Sequence, residues 1–195
     1  MNTSANILLS RNEILSMGFA EVGDDVKITR FALFFNTSKI RIGSRVRIDA
    51  FAIISAGEEG VEIGNNVHIA AHTILNGTGG KIILSDFSGL APHVCIWTAS
   101  EDYTGGNLTN PTVPDRFRKQ DKGPVVLGRH VIVGTGSVIL PNVTLADGAA
   151  VGALSLVNRS VQVGEVVFGC PARKIATRSL DKLEALAGEY LRSLK

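Results

Sequence analysis

The side chains best suited to chemistry lie in the middle third of the chain. His68, His72 and His93 are three of its four histidines, and imidazole is both the commonest general base and a frequent metal ligand in proteins. Two adjacent carboxylates, Glu101 and Asp102, follow shortly afterwards. A carboxylate of ordinary pKa is a weak base for an alcohol, so these two would need a raised pKa to act alone. Whether these five side chains can take part in catalysis depends on where the strands and loops of the fold place them.

A six-residue repeat carries the histidines. Units such as IGSRVR (42–47), IGNNVH (63–68) and LGRHVI (127–132) begin with an aliphatic residue and have a small or β-branched residue at the fifth place. This spacing follows neither the period of a helix nor the simple alternation of a long strand. It is typical of a short strand followed by a tight corner, with three units closing one coil. The sequence therefore predicts an all-β fold, a parallel β-helix of stacked coils.

The repeat also predicts where individual side chains point. Alternation along VHI (67–69) directs His68 outward. Gly43 and Gly64 are expected to give the backbone its freedom at the corners. His72 and His93 occupy equivalent places 21 residues apart, so we expect them to stack at one corner, one coil above the other.

Coil starts show that the repeat is interrupted at one place in each of four coils. Their spacing indicates insertions after Phe34, Ile54, Leu75 and Ile96, all leaving the same corner, and no insertion in the last two coils. The insertion after Ile96 is by far the largest and includes ASEDYTGGNLTNPTVPD (99–115). Loops longer than about 12–15 residues are usually functional. The predicted coil starts are 22, 42, 63, 84, 127, 145 and 163.

Both ends of the chain carry helical signals. SRNEIL (10–15) contains a capping box of Ser10 and Glu13, which predicts a short helix. Leucines at roughly helical spacing predict an amphipathic helix at the other end that packs on the prism or a neighbour. The expected organisation is an N-terminal cap (1–21), a β-helix domain (22–175) with a long loop (97–125), and a C-terminal helix (176–195).

Composition excludes several classes of partner. The net charge of +2 and a pI of about 8.6, without a basic run interleaved with aromatic residues, argue against nucleic acid. No stretch approaches the ~20 apolar residues that span a bilayer. Cys95 and Cys170 lack metal-ligand spacing, so we expect neither a disulfide nor a metal. A cytoplasmic location is the expectation.

The repeat, the single long loop and the closing segment VGALSLVNRSVQVGEVVFGCPARKIATR (151–178) resemble the left-handed β-helix acetyltransferases of the hexapeptide-repeat class. They are most similar to the galactoside and maltose acetyltransferases and to sugar O-acetyltransferases of surface-polysaccharide gene clusters. The resemblance implies a left-handed coil, acetyl-CoA as co-substrate, and a homotrimer. It also implies active sites between subunits, with the loop reaching over the adjacent prism.

The resemblance also suggests roles for the chemical side chains. The family has a histidine where the long loop begins, but this chain has Glu101 at or near that place. The base is therefore sought among His72, His68, Glu101 and Asp102. His72 falls where the family carries a polar residue that contacts the acceptor sugar. Because His72 and Glu101 belong to different edges of one prism, a site that uses both must draw on two subunits.

Binding roles follow in the same way. The resemblance places coenzyme A along the later coils, and Leu154 stands where a glycine is common, which would narrow the channel. The candidates for acceptor contacts are Tyr103, Thr109, Asn110 and His93. The candidates for coenzyme A are Gly134, Gly152 and Ala153 beside the pantetheine arm, and Arg173, Lys174 and Arg178 at the phosphates.

Three functions remain in competition. O-acetylation of a sugar hydroxyl in surface-polysaccharide synthesis is the main expectation, because the loop resembles those enzymes. N-acetylation of a nucleotide-linked amino sugar is the alternative, since a deprotonated amine attacks without a strong base. A zinc carbonic anhydrase on the same kind of prism, with His68, His72 and His93 as ligands, is a remote third. The identity of the acceptor and whether the acyl group is acetyl are left open.

Overall fold

A computed structural model describes residues 7–194 of the chain, so residues 1–6 and residue 195 of the two expected caps lie outside the described part. Within it, short strands alternate with tight corners to form a three-sided column. The strands, in chain order, are β1 (Glu21–Val22), β2 (Lys27–Ile28), β3 (Leu33–Phe35), β4 (Ile40–Ile42), β5 (Arg47–Ile48), β6 (Ile53–Ala56), β7 (Val61–Ile63), β8 (His68–Ile69), β9 (Ile74–Gly77), β10 (Ile82–Leu84), β11 (Gly89–Leu90), β12 (Cys95–Trp97), β13 (Ala99–Glu101), β14 (Gln120–Lys122), β15 (Val125–Leu127), β16 (Ile132–Val133), β17 (Val138–Ile139), β18 (Thr144–Leu145), β19 (Ala150–Val151), β20 (Leu156–Val157), β21 (Glu165–Phe168) and β22 (Arg173–Thr177).

Three sheets form the faces of the column, and each of the first six coils contributes one strand to each sheet. Sheet I contains β1, β4, β7, β10, β15 and β18; sheet II contains β2, β5, β8, β11, β16, β19, β21 and β22; sheet III contains β3, β6, β9, β12, β17 and β20. Neighbouring strands from successive coils run parallel, and only the last pair of sheet II, β21 and β22, is antiparallel. The predicted parallel β-helix is confirmed.

The core is a continuous column of small aliphatic side chains. In sheet I the inward residues lie in register from coil to coil, and their exposed fractions do not exceed 3 %. Val67 and Ile69 are likewise buried, whereas His68 between them is exposed. The predicted inward and outward directions are therefore correct at this strand. Two such rows in sheet I are Ile42, Ile63, Leu84, Leu127 and Leu145, and Ile40, Val61, Ile82 and Val125.

Glycines near the corners have a different role from the one that the sequence suggests. Gly43 and Gly64 do not have a positive φ; the residues that do are Arg45 and Asn66, two positions further on. A Cβ on Gly43 would lie 2.6 Å from the carbonyl oxygen of Gly64. Glycine is needed at this position because the next coil passes too close for a side chain, and not because of backbone freedom.

The register of the last coil also differs from the prediction. Leu145 pairs with Val161, so this coil begins two residues before the predicted start at Val163, whose side chain is 59 % exposed. Val151 then pairs with Val167 at the normal six-residue spacing. Both Val161 and Val163 are aliphatic, and the repeat alone does not show that the unit beginning at Val157 is shortened.

Three edges join the sheets. The first edge, between sheets I and II, contains Asp25, Arg45, Asn66, Phe87 and His130. The second edge, between sheets II and III, contains Phe31, Phe51, His72, His93, Gly136 and Leu154. The third edge, between sheets III and I, carries all four insertions, as the coil spacing predicts. The longest insertion contains a small antiparallel hairpin of β13 and β14.

Helices lie at both ends of the described chain. Helix α1 (Arg11–Ser16) begins at a capping box formed by Ser10 and Glu13, as predicted. Helix α2 (Asp181–Ser193) packs on the first edge of its own column, where Glu184 pairs with Arg129 and the Tyr190 hydroxyl donates to Asn66. Neither helix of residues 7–194 has the length and apolar character to span a membrane.

We expect Gly43→Ala to destabilise the column. Because the clashing atoms belong to the backbone of the next coil, overpacking should lower the free energy of unfolding by about 1–3 kcal/mol. Gly89→Ala is the matched control, since a Cβ on Gly89 meets no atom within 4 Å. Urea-induced unfolding at equal protein concentrations measures both. Equal midpoints for the two variants would contradict the close-approach explanation.

Candidate active site

A ladder of stacked rings runs along the second edge. The ring centroids of Phe31 and Phe51 are 5.6 Å apart, those of Phe51 and His72 are 4.9 Å apart, and those of His72 and His93 are 4.8 Å apart with their planes within 6°. Phe51, His72 and His93 all have a left-handed backbone. The predicted stacking of the two histidines is confirmed.

The same edge continues into the part of the column predicted to bind coenzyme A. Gly136 donates its N–H to the Pro92 carbonyl, and Leu154 donates to the Thr135 carbonyl, so both residues stand in line with His93. The column brings the two imidazoles and the predicted pantetheine region onto one edge. Backbone N–H groups can stabilise an oxyanion when they are free to donate, but those of Gly136 and Leu154 are already bonded to the preceding coil. The predicted pantetheine residues beside this edge are Gly134, Gly152 and Ala153.

His68 lies on the outer face of sheet II and has a carboxylate partner. Its Nε2 is 2.8 Å from Asp49 Oδ2, and Arg47 Nε donates to the other Asp49 oxygen at 2.7 Å. Burial raises the pKa of the Asp49 carboxyl, but the hydrogen bonds from His68 and Arg47 outweigh this and hold the pKa below its ordinary value. With Asp49 ionised, His68 Nε2 is the donor in this hydrogen bond, and in the neutral imidazole the lone pair then lies on Nδ1.

Asp49 was not among the residues proposed from sequence. It is 19 residues from His68 and follows a strand of the preceding coil. The signal that would have found it is the coil register, which pairs Arg47 with His68. A carboxylate two residues after Arg47 points to the same outer face of sheet II.

The long loop holds Glu101 and Asp102 as ionised groups. Arg118 donates to Glu101 Oε1 at 2.5 Å and, together with Gln120, lowers the pKa of Glu101. Hydrogen bonds from Asn107 and Thr104 lower the pKa of Asp102 to about 2. The sequence argument required a raised pKa for a carboxylate to act as the base. Within one chain, neither carboxylate meets that condition.

A cavity of about 560 Å³ lies between this loop and the third edge, lined in part by Glu101, Asp102 and Tyr103. The Tyr103 side chain is 90 % exposed. Thr109 and Asn110 lie further along the loop, outside the lining of this cavity, and both are exposed. The loop and the second edge stand at opposite sides of sheet III, so one chain does not bring Glu101 to His72.

The residues predicted to bind phosphate lie at the C-terminal end of the column, but they do not all line the same cavity. Arg173 and Lys174 line a small cavity together with Arg159, which the sequence analysis did not single out. Lys174 pairs with Glu165 at 3.0 Å. Arg178 lies outside the lining of that cavity and donates its backbone N–H to the Gly164 carbonyl.

The histidines are not arranged as a metal site in this chain. His68 binds Asp49, while His72 and His93 lie face to face. Among residues 7–194, no group of three or more His, Cys, Asp or Glu side chains is placed to hold a metal ion. The geometry gives no support to the zinc alternative.

Known proteins resemble the chain over nearly its whole length, although no protein-family model matches it. The dTDP-4-amino-4,6-dideoxy-D-glucose acyltransferase of Escherichia coli is 41 % identical over 176 residues, which cover 90 % of this chain and 91 % of that protein. The putative lipopolysaccharide biosynthesis O-acetyl transferase WbbJ of Escherichia coli K12 is 28 % identical over 183 residues, covering 87 % and 86 %.

Solved structures of acyltransferases are similar to this chain over nearly its whole length. A variant of AntD, an N-acyltransferase from Bacillus cereus, in complex with dTDP-4-amino-4,6-dideoxyglucose and coenzyme A, superposes with a TM-score of 0.93 at 38 % identity, covering 97 % of this chain and 99 % of that one. AntD with dTDP and 3-hydroxybutyryl-CoA gives a TM-score of 0.91 at 36 % identity, covering 96 % and 98 %. A stacked-coil column with a protruding loop is the architecture of the left-handed β-helix acyltransferases. The chain belongs to this family, the hexapeptide-repeat acyltransferases that act on sugars.

Removal of the His68 ring should raise the pKa of Asp49. In His68→Ala the carboxylate loses a hydrogen bond that lowers its pKa, while its burial, which raises the pKa, is partly retained. Carbon-13 NMR titration of the Asp49 carboxyl measures the change. His93→Ala, which removes another exposed imidazole, is the control and should leave the Asp49 pKa unchanged. An unaltered Asp49 pKa in His68→Ala would show that the pair does not form in solution.

Proposed function

We propose that this protein transfers an acyl group from an acyl-CoA to the amino group of a dTDP-linked 4-amino sugar. The observation that carries the proposal is the 41 % identity, over nine-tenths of the chain, to an acyltransferase of dTDP-4-amino-4,6-dideoxy-D-glucose. The match to AntD, bound to the same sugar nucleotide and coenzyme A, supports it. These comparisons favour the N-acyl alternative over O-acetylation, for which WbbJ is a more distant relative.

The chemistry of the site agrees with an amine acceptor. An amine that has lost its proton attacks a thioester directly, whereas a hydroxyl must be deprotonated as it attacks. The loop carboxylate Glu101, which stands where the family has a histidine, is held ionised by Arg118. Such a carboxylate suits an ammonium group better than it suits an alcohol, because it attracts and orients the positive charge.

In this proposal an imidazole removes the proton from the acceptor amine. A sugar amine is largely an ammonium ion near neutral pH, and the tetrahedral intermediate carries a further proton on nitrogen. His72 on the second edge and His68, oriented by Asp49, are the candidate bases. His93, Tyr103, Thr109 and Asn110 remain the candidates for acceptor contacts.

The acyl donor would lie along the second edge. Gly134, Gly152 and Ala153 border the pantetheine arm in this arrangement, and the phosphates would meet cations at the C-terminal end of the column. Arg173 and Lys174 share a cavity there with Arg159, and Arg178 is nearby in sequence. In this arrangement an acyl-CoA is the co-substrate. Its thioester lies on the edge that carries the imidazoles, and the acyl group is transferred there.

A homotrimer would complete the site. Sheet III presents an apolar outward row in which one aliphatic or thiol side chain per coil lies in register with the next, beginning with Leu33, which is 52 % exposed. The other residues of the row are partly exposed; a contiguous apolar surface of this kind is typical of an association surface, and a closed ring is the usual outcome for identical subunits. Burial of this face would bring the loop of one subunit toward the second edge of another. The row contains Leu33, Ile53, Ile74, Cys95, Val138 and Leu156.

The acceptor is tested with a matched pair of sugar nucleotides. We expect acetyl-CoA or another short acyl-CoA to release thiol with dTDP-4-amino-4,6-dideoxy-D-glucose, and mass spectrometry to show one acyl group on the nitrogen. The analogue with a hydroxyl in place of the 4-amino group should react at least ~100-fold more slowly, because a hydroxyl must lose its proton as it attacks whereas a free amine attacks directly. Equal rates with the two sugar nucleotides, or reaction with the hydroxyl analogue alone, would contradict N-acylation and favour O-acylation.

Mixed subunits test whether two chains build one site. We expect His72→Ala to lower the rate at least ~100-fold, the low end of a general-base contribution, and Glu101→Gln to lower it as well. Assembled together, the two variants should regain about a quarter of the wild-type rate, because each interface draws one residue from each of two subunits at random.

The control is a mixture of His72→Ala with His68→Ala. These residues lie on one column, so mixing should restore nothing beyond the activity of the separate variants. If the His72 and Glu101 variants also fail to complement, the shared-site arrangement is wrong, even where the acyl transfer itself is correct.

A further inference from the structure

The second edge has a gap in its row of side chains between His93 and Leu154. His93, Gly136 and Leu154 occupy successive coils, as the chain of backbone hydrogen bonds along the edge shows. Coils stack about 4.8 Å apart. Gly136 has no side chain, so the ring ladder that begins at Phe31 ends at His93, and the next side chain along the edge belongs to Leu154.

Leu154 does not follow the preferences of its position. Its φ is 56°, in the left-handed region, which is strained for leucine and which glycine or asparagine would adopt more readily. Its side chain is nevertheless 73 % exposed, although it is large and apolar. Within one chain, leucine at this position therefore neither suits the left-handed backbone nor buries its own apolar side chain.

The side chain of Leu154 covers the gap. A Cβ on Gly136 would lie 2.7 Å from Leu154 Cδ2, so the leucine folds back over Gly136 toward His93. We call the position over Gly136, between the His93 imidazole and the Leu154 backbone, the notch; the Leu154 side chain partly fills it. Both walls of this notch are fixed, one by ring stacking with His72 at 4.8 Å and the other by the coil itself.

We propose that Leu154 sets the length of the acyl group that the enzyme accepts. The inference rests on the proposed function, in which the thioester lies on this edge beside the imidazoles. The acyl chain must then leave the thioester carbon within the notch over Gly136. Because Leu154 occupies that notch, a two-carbon acyl group fits and longer unbranched acyl groups meet the leucine side chain.

Leu154→Gly removes the obstruction and suits the left-handed backbone, so the variant should fold. Wild-type enzyme should prefer acetyl-CoA to butyryl-CoA. The variant should raise the butyryl-to-acetyl ratio of kcat/KM by roughly 10-fold or more, because one or two methylene groups in a fitted pocket are worth about 10–200-fold. Leu154→Asn, which also tolerates this backbone, should give an intermediate ratio. Val163→Ala, exposed on the last coil away from the edge, is the matched control.

Binding of acetyl-, butyryl- and hexanoyl-CoA is measured in parallel by calorimetry without any acceptor. The inference is supported if Leu154→Gly strengthens binding of the longer thioesters relative to acetyl-CoA. It is overturned if the ratio is unchanged or falls, or if wild-type enzyme does not discriminate. Failure of the proposed function is a separate result, namely no acylation of the amino sugar by wild type with any donor, and the binding ratios still report on Leu154 in that case.

Discussion

The close approach of successive coils is the constraint on which the rest of the structure depends. Parallel strands of neighbouring coils must hydrogen-bond at about 4.8 Å along all three faces, and this leaves no room for a Cβ at Gly43 or Gly64. The inward residues must then be aliphatic and of similar size, because each packs directly on the one above. A coil that lost this register would expose its whole share of the core.

The same constraint arranges the chemically active side chains in rows along the column. Side chains at equivalent corners are forced into rows, so His72 lies on Phe51 and His93 lies on His72. The row passes into Gly136 and Leu154 without leaving the edge. Donor and acceptor groups can therefore be aligned along one line, while an insertion at another edge adds a loop without disturbing the coils. This separation explains why the loop of one chain does not meet the second edge of the same chain.

Sequence periodicity predicts what depends on the coil and misses what depends on contacts between side chains. The outward direction of His68, the stacking of His72 and His93 and the common edge of the insertions follow from the repeat alone. Asp49 was missed because its pairing with His68 joins two coils on an outer face, where the repeat imposes no residue type. The ion pair of Glu101 with Arg118 depends on a hairpin inside the loop, whose pairing the repeat does not determine. The shortened unit before Val161 was hidden because Val163 is equally aliphatic.

Left-handed backbone occurs at both the first and the second edge, and the contacts that compensate for it differ. On the first edge Asp25 and Asn66 adopt this conformation at low cost. The larger left-handed residues there have partners in the same chain, since Phe87 stacks on His130 and Arg45 donates to Asn66 Oδ1. On the second edge the left-handed residues include Phe51 and Leu154, for which the cost is greater. Stacking between rings offsets part of it at Phe51, but Leu154 is largely exposed within one chain. Strain retained without a compensating contact in the same chain points to a ligand or another subunit as the partner, and the second edge is where both would lie.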